Sequence, residues 1–254
     1  MLRRVLQRAS LRAPPFVYIR VPRRIDPFRD GQYRGRSAPS GSQRVVIGLV
    51  AANTLVYGMW RYARDDATRM SDRRMYSFMV RNFTSGEYNL RQGRWWTLIT
   101  ACFSQQTLPH FAFNMLTFLF TAPAIVPLVG AQKLLHLYLG AGLVSSLTGI
   151  AWPYVIDPIL GNDHHRMQRQ ASLSQGASGS VYAILAAFTA LRPNATFYLF
   201  FAFPLPAWVC LSGILGWEMY AASYPPKDRH IDSVGHVGGL LSGLLFARFY
   251  LRRV

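Results

Sequence analysis

The chain has 254 residues, of which 51% are hydrophobic and only 15% are charged, and its formal net charge is +17. A soluble domain of this length needs more charge on its surface, so the composition excludes an ordinary water-soluble enzyme. It favours a membrane protein that carries a basic extension.

The first 44 residues form a basic leader with eleven arginines against two acids, Asp26 and Asp30. The leader contains serines and lacks a continuous apolar core, which is typical of a mitochondrial transit segment and not of a secretory signal. The alternative is a disordered basic arm that contacts anionic lipid or RNA. We predict a leader at 1–44 and one membrane domain at 45–254.

Six apolar runs of spanning length, or close to it, follow the leader, if about 20 residues are required to cross the hydrocarbon core. They cover residues 45–60, 111–129, 134–154, 176–191, 195–217 and 234–251. The sequence therefore predicts an all-α integral membrane protein, a bundle of six transmembrane helices. The connection at 61–109 mixes arginines with aromatic residues, which predicts a partly helical interfacial loop with Trp95 and Trp96 at headgroup level. The two cysteines, Cys102 and Cys210, lie in apolar segments and predict neither a disulfide nor a metal site.

Six spans place both termini on the same side of the membrane. The arginines of 1–44 and the closing Arg252 and Arg253 favour the matrix for that side, although the basic stretch 61–94 opposes this orientation. Runs two, four and six then cross in the same direction, so their N-terminal ends lie at a similar depth. Polar or small residues occur at all three ends. They are His110 and Asn114 in run two, Ser178 in run four and His236 in run six.

Ser178 opens run four within the stretch SQGASGSVYAIL, where Gly176, Ala177 and Gly179 surround it. One interpretation is close helix packing, for which small residues are common in membrane bundles. The other is a nucleophile that a peptide backbone approaches closely, at a helix N-terminus whose free N–H groups favour a developing oxyanion. Ser178 taken alone does not decide between the two.

His236 is an ionisable residue in a predicted span, and such residues are by default functional candidates. The alternative is a histidine hydrogen-bonded to a backbone carbonyl. Gly239 and Gly243 follow it at a small-xxx-small spacing that allows close packing on another helix. If that helix is run four, His236 reaches Ser178 as its general base, and Tyr182 can stack on the ring.

His110 and Asn114 are four residues apart, so on a helix they share one face. They either hydrogen-bond each other and the long loop, or donate hydrogen bonds to a tetrahedral oxyanion.

The acids favour a dyad. Glu218, at the edge of run five, is the one acid within a run, so a paired-aspartate mechanism lacks its second carboxylate. Asp232 lies one turn before His236 and would complete a triad, but a solvated loop position is the favoured interpretation. We therefore predict that Ser178 and His236 act as a dyad.

These residues give the chain a resemblance to the rhomboid family of intramembrane serine proteases across 45–254. The matching motifs are G-x-S-G at 176–179, H-x-x-G-x-x-x-G at 236–243 and H-x-x-x-N at 110–114. Their order, and their placement on runs four, six and two, also agree with the family.

The resemblance implies that Ser178 attacks the scissile carbonyl and that His236 serves first as base and then as acid. It places Tyr182 against the catalytic histidine. It also places His110, Asn114 and the backbone N–H of Ser178 in an oxyanion hole.

Further expectations follow from the resemblance. Four glycines would support the site, namely Gly176, Gly179, Gly239 and Gly243. No cofactor and no metal would be needed, the partners would be single-pass membrane protein substrates and the lipid bilayer, and nucleic acid would not be bound. Together with the leader, the resemblance implies a mitochondrial inner-membrane protein whose active site faces the intermembrane space.

Two positions depart from the family pattern, both in the long loop. Thr97 stands where the family has an arginine after tryptophan, with Arg94 just upstream, and Gln105 stands where a histidine is common. Both departures concern the stability of the loop. The chief rival interpretation is a catalytically inactive relative that binds membrane helices. A small transporter or channel ranks last. It would require internal repeats or midplane charges that the sequence does not display.

The length of run four predicts the depth of Ser178. About 14 residues separate Ser178 from Arg192, which as a helix cover roughly 20 Å of the ~30 Å hydrocarbon core. Ser178 should therefore lie below the membrane surface, beneath a polar depression that admits water.

Overall fold

The structure is a computed structural model and describes residues 40–199, 203–224 and 232–251. Within these residues the chain forms eleven α-helices, a short 3-10 turn at Ala101–Phe103 and one β-hairpin. The helices are α1 (Ser40–Arg69), α2 (Arg74–Phe83), α3 (Glu87–Arg91), α4 (Thr97–Thr100), α5 (Leu108–Val129), α6 (Ala131–Val155), α7 (Asp157–Leu160), α8 (Asp163–Gln170), α9 (Ser178–Leu191), α10 (Ala207–Ser223) and α11 (Ser233–Leu251). The strands are β1 (Thr196–Leu199) and β2 (Phe203–Pro206). Most of the predicted leader, residues 1–39, and the closing Arg252 and Arg253 lie outside the described residues.

The described helices agree with an all-α membrane fold. Two of them, α5 and α6, are long and apolar enough to cross a membrane, and α9 is an apolar helix that is shorter. Helices α1, α10 and α11 occupy the remaining predicted runs without meeting that test. The six-span count therefore stays a prediction.

The prediction of one continuous fifth run at 195–217 is wrong in its first half. Strands β1 and β2 pair antiparallel there, and α10 begins only at Ala207. Proline lacks the N–H that a helix interior needs, and both Pro204 and Pro206 lie in β2. β1 is rich in threonine and aromatic residues, which favour strands. The described residues therefore form a mostly helical fold with one short hairpin.

The connection predicted at 61–109 is shorter than expected, because α1 continues as a helix to Arg69. What remains contains α2, α3 and α4, so the prediction of a partly helical segment is confirmed. Trp95 and Trp96 are 65% and 51% exposed, which suits residues at a membrane interface.

Helix α9 lies at the centre of the molecule. Eleven of its fourteen residues are buried, and α5, α6, α10 and α11 all pack on it. A helix that is apolar all round is expected in the core of a bundle and not at its surface. Ser178, as the first residue of α9, is thereby placed at one end of the core.

Glycines allow α11 to cross α9 at very short range. A Cβ atom on Gly239 would fall well inside van der Waals contact with the carbonyl oxygen of Gly179, and one on Gly243 would do the same at Ala183. The small-xxx-small spacing therefore serves close packing on run four, as the sequence predicts. Gly179 also faces α6, where a Cβ atom would clash with the Ser145 side chain.

The segment before Ser178 is tied to the long connection by backbone hydrogen bonds. The N–H of Ser85 donates to the oxygen of Ser174 at 2.8 Å, and the N–H of Ser174 donates back to Ser85 at 2.7 Å. The N–H of Gly176 donates to the oxygen of Ala101 at 3.0 Å. These bonds hold the approach to α9 in a defined position.

Gln105, one of the two departures from the family pattern, is fully buried and belongs to a polar network. Its Nε2 donates to Oδ1 of Asn53 at 2.9 Å, and Nδ2 of Asn53 donates to the hydroxyl oxygen of Tyr138 at 2.9 Å. The Tyr138 hydroxyl in turn donates to the oxygen of Cys102 at 3.0 Å. The network joins α1 and α6 to the loop before α5. The second departure, Thr97, is buried as well, and its hydroxyl donates to the oxygen of Arg94 at 2.7 Å.

We expect Asn53→Leu to destabilise the protein by about 2 kcal/mol, because it leaves the Gln105 amide buried without its acceptor. Thermal unfolding in detergent measures the effect. Thr54→Val is the matched control, since the Thr54 side chain is exposed on the same helix and donates only to the oxygen of Val50. Equal melting temperatures for the two variants would contradict the prediction.

Candidate active site

Ser178 is positioned by the sharp entry of the chain into α9. Gly176 has φ +150°, a backbone conformation that favours glycine, and Ala177 precedes the helix as its N-cap residue. A Cβ atom on Gly176 would lie 3.1 Å from Oγ of Ser178, so even a methyl group there would crowd the hydroxyl. The serine is 8% exposed and lies among small residues, as the sequence predicts.

His236 faces Ser178 from α11. Its Nε2 lies 2.7 Å from Oγ of Ser178, and the residue is buried at 8% exposure. The Tyr182 ring packs against the imidazole with a centroid distance of 4.8 Å and an interplanar angle of 75°. This contact is edge-on and not stacked, but it lies where the sequence predicts an aromatic residue. The structure therefore brings together all three of these predicted side chains.

The N-terminal end of α5 lies next to Ser178 and His236. The His110 ring lies against Gly176, where a Cβ atom would be 3.2 Å from Cε1 of the ring. Asn114, one turn further along α5, is 4% exposed, and among the described residues its Nδ2 has no hydrogen-bond partner. The N-terminal ends of α5, α9 and α11 thus converge, as expected from runs that share one direction.

Asp232 does not orient the His236 ring. Its Oδ1 accepts a hydrogen bond from the N–H of Gly235 at 2.9 Å, and its Oδ2 accepts one from the Ser174 hydroxyl. It therefore caps the first turn of α11 and ties that turn to the segment before α9. Asp232 is half-buried and lines a polar cavity, and it lies outside the histidine contact as predicted.

Glu218 is the site residue that sequence reasoning missed. Its Oε1 lies 3.1 Å from Nδ1 of His236, and the residue, on α10, is 4% exposed. The two atoms are at ion-pair distance, but the ring N–H does not meet the angular requirements of a hydrogen bond. At 3.1 Å the carboxylate still forms an ion pair with the ring whenever the imidazole is protonated. The available signal was that Glu218 is the one acid within an apolar run.

A small polar cavity lies next to Ser178, as the predicted polar depression requires. The centre of a water molecule can occupy about 10 Å³ of this cavity. The cavity therefore has room for about one water molecule. Its lining is dominated by hydroxyl, amide and carboxylate groups from Ser145, Ser146, Ser174, Gln175 and Asp232.

Comparison with known proteins identifies the class. Residues 92–253 match the sequence profile of the rhomboid domain. Because this match covers more than half of the chain and includes the converging ends of α5, α9 and α11, the chain belongs to the rhomboid family.

The similar proteins include several with mitochondrial names. An uncharacterized mitochondrial rhomboid protein of Schizosaccharomyces pombe is 28% identical over 85% of this chain and 66% of its own length. The mitochondrial RHOMBOID-like protein 12 of Arabidopsis thaliana is 32% identical over 77% of this chain and 55% of its own length. The mitochondrial Rhomboid protein 1 of Saccharomyces cerevisiae is 24% identical over 84% of this chain and 55% of its own length. The chain thus spans between about half and two thirds of the length of these relatives.

Proposed function

We propose that the chain is an intramembrane serine endopeptidase in which Ser178 is the nucleophile and His236 is the general base. The observation that carries the proposal is the 2.7 Å contact between Nε2 of His236 and Oγ of Ser178. A serine hydroxyl is a weak nucleophile unless an adjacent base accepts its proton, and this distance permits that transfer. Family membership supports the same chemistry.

The reaction follows from these positions. Oγ of Ser178 bonds to the scissile carbonyl carbon while its proton passes to Nε2 of His236, and the carbonyl oxygen becomes an oxyanion. Collapse of this intermediate breaks the C–N bond, and the imidazolium returns its proton to the leaving amine. A water molecule then attacks the acyl-enzyme, again with His236 as base, and releases the new carboxyl end and free Ser178.

Three donors are proposed to stabilise the oxyanion: His110, Asn114 and the backbone N–H of Ser178. Support comes from the Asn114 amide, which is buried and has no acceptor among the described residues, so it is free to donate to a substrate oxygen. The His110 ring lies against Gly176, at the mouth of the same helix. Each such donor contributes about 3–4 kcal/mol of transition-state stabilisation in comparable sites.

Water for the second half of the reaction is proposed to come through the polar cavity. Its volume suits about one water molecule, and Ser178 contributes to its lining. Helix α9 has 14 residues and spans roughly 21 Å, so its serine end lies below the surface of a ~30 Å hydrocarbon core. A polar cavity is therefore needed for hydrolysis at that depth.

The substrates are proposed to be single-pass membrane proteins, cleaved in the mitochondrial inner membrane on the intermembrane-space side. The arginine-rich leader at 1–44 and the mitochondrial names of several relatives support this location. The six helices that would then span the bilayer are α1, α5, α6, α9, α10 and α11, with both termini in the matrix.

The test is cleavage of a single-span reporter in liposomes by the native chain and by Ser178→Ala. We expect native cleavage and at least a roughly 10⁴-fold loss in the variant, because Ser178 carries the hydroxyl that lies against Nε2 of His236. Ser223→Ala is the matched control, since that hydroxyl donates only to the oxygen of Met219 in its own helix. Equal cleavage by native protein and Ser178→Ala would contradict the proposal. A folded native chain that neither cleaves the reporter nor reacts with a fluorophosphonate probe would favour the inactive, helix-binding alternative.

A further inference from the structure

A buried carboxylate lies behind the His236 ring, on the side away from Ser178. Oε1 of Glu218 is 3.1 Å from Nδ1 of His236, while Nε2 on the opposite edge of the ring is 2.7 Å from Oγ of Ser178. The Tyr182 hydroxyl also donates to Oε1 of Glu218, at 3.4 Å. A single chain of contacts thus joins Ser178 and Tyr182 of α9, His236 of α11 and Glu218 of α10.

The Glu218 carboxylate is buried, so its charge requires a compensating partner. Glu218 is 4% exposed in an apolar helix, where an unpaired charge is very costly. Among the ion pairs of the described residues, its partner is His236, and no lysine or arginine is paired with it. The contact with the imidazole is therefore the main compensation for burying this acid.

We propose that Glu218 is a positioning residue that completes a Ser178–His236–Glu218 triad, an inference that rests on the proposed function. An ionised Glu218 holds the proton of the neutral ring on Nδ1, which leaves the Nε2 lone pair facing the serine hydroxyl. When Nε2 takes the serine proton, the carboxylate stabilises the resulting imidazolium without accepting a proton itself. The Tyr182 donor fixes the carboxylate oxygen that faces the ring.

The other groups around the ring do not take this role. Tyr182 from α9 meets the imidazole edge-on, and Asp232, before α11, is engaged by Gly235 and Ser174. His110 from α5 is a further titratable side chain at the site, and its ring lies against Gly176. From α6, the side chains that contact the first turns of α11 include Ser145, Thr148 and Trp152, none of which titrates.

The test compares native protein, Glu218→Gln and Glu218→Asp in liposomes. It measures kcat and KM for the reporter, and the pH dependence of Ser178 labelling by a fluorophosphonate probe. We expect Glu218→Gln to lower kcat about 100-fold with KM nearly unchanged, because an amide can hold the ring in the wrong tautomer. The acidic limb of the labelling profile should move to lower pH, since the imidazolium loses its neighbouring carboxylate and gives up its proton more readily. Glu218→Asp should restore part of kcat and return the limb toward the native position.

Asp65→Asn is the matched control, because it neutralises an exposed carboxylate on α1 whose partner is Arg61. It should leave kcat and the labelling profile unchanged. Native kcat and an unmoved acidic limb in Glu218→Gln, with an active native chain, would overturn the triad and leave the proposed function standing. A loss of kcat accompanied by a lower melting temperature and no shift of the limb would assign Glu218 a structural role and overturn it as well. A native chain that neither cleaves nor labels would overturn the proposed function itself.

Discussion

His236→Gln is expected to reduce reporter cleavage by roughly 10⁴-fold or more, because the variant has no group that can take the Ser178 proton. Glutamine keeps a side chain of useful length opposite Oγ and can hydrogen-bond Glu218, so the fold should survive. The loss then reports chemistry and not packing. The measurement is kcat/KM for the reporter in liposomes, together with the rate of fluorophosphonate labelling.

The control for this change is His136→Gln, since His136 is an exposed histidine on α6. It should cleave at the native rate. If His236→Gln retained more than a few per cent of native cleavage while Ser178→Ala lost it, another base would have to serve Ser178. Asp232 would then be the first group to test, because it lines the same polar cavity.

Gly243→Ala is expected to destabilise the protein by about 3 kcal/mol and to reduce cleavage strongly. The added methyl group would overlap the carbonyl oxygen of Ala183, and backbone cannot move aside as the end of a flexible side chain can. Helix α11 would have to move away from α9, which would also lengthen the contact between His236 and Ser178. Thermal unfolding in detergent and reporter cleavage measure the two effects.

Gly216→Ala, on the neighbouring helix α10, is the matched control, and we expect it not to destabilise the protein. A Cβ atom at Gly216 meets nothing within 4 Å, and alanine is the better helix former by about 1 kcal/mol. We therefore expect an unchanged or slightly raised melting temperature. If Gly243→Ala behaved like Gly216→Ala, the close crossing of α9 and α11 would not be what holds the site together.

The convergence of the site was accessible from the sequence because it depends on direction and order. His110, Ser178 and His236 each stand near the N-terminal end of an apolar run, and alternate runs cross in the same direction. The glycines after His236 indicated a close neighbour for its helix, and the buried crossing of α11 on α9 agrees with that indication. None of these inferences required the rotation of any helix about its own axis.

Two features were not predicted from the sequence, namely the hairpin β1–β2 and the hydrogen-bond partner of Gln105. The hairpin β1–β2 lies in a segment whose average hydropathy resembles that of a span, and only its prolines and β-favouring residues marked it. Gln105 seemed to weaken the loop because it replaces a family histidine. In the structure its side-chain amide donates a hydrogen bond to Asn53. Asn53 lies on α1, and no local sequence pattern connects it with Gln105.

The sequence by itself determined the apolar runs and the residues at the three helix ends, because hydrophobic length and motif order are properties of the chain. Only the tertiary structure decided that Glu218 faces Nδ1 of His236 and that Asp232 caps α11. Both acids precede the histidine in sequence, and which of them reaches the ring depends on how α10 is rotated and how closely it packs on α11. That rotation is settled by side-chain packing between distant segments, which no periodicity within a single helix records.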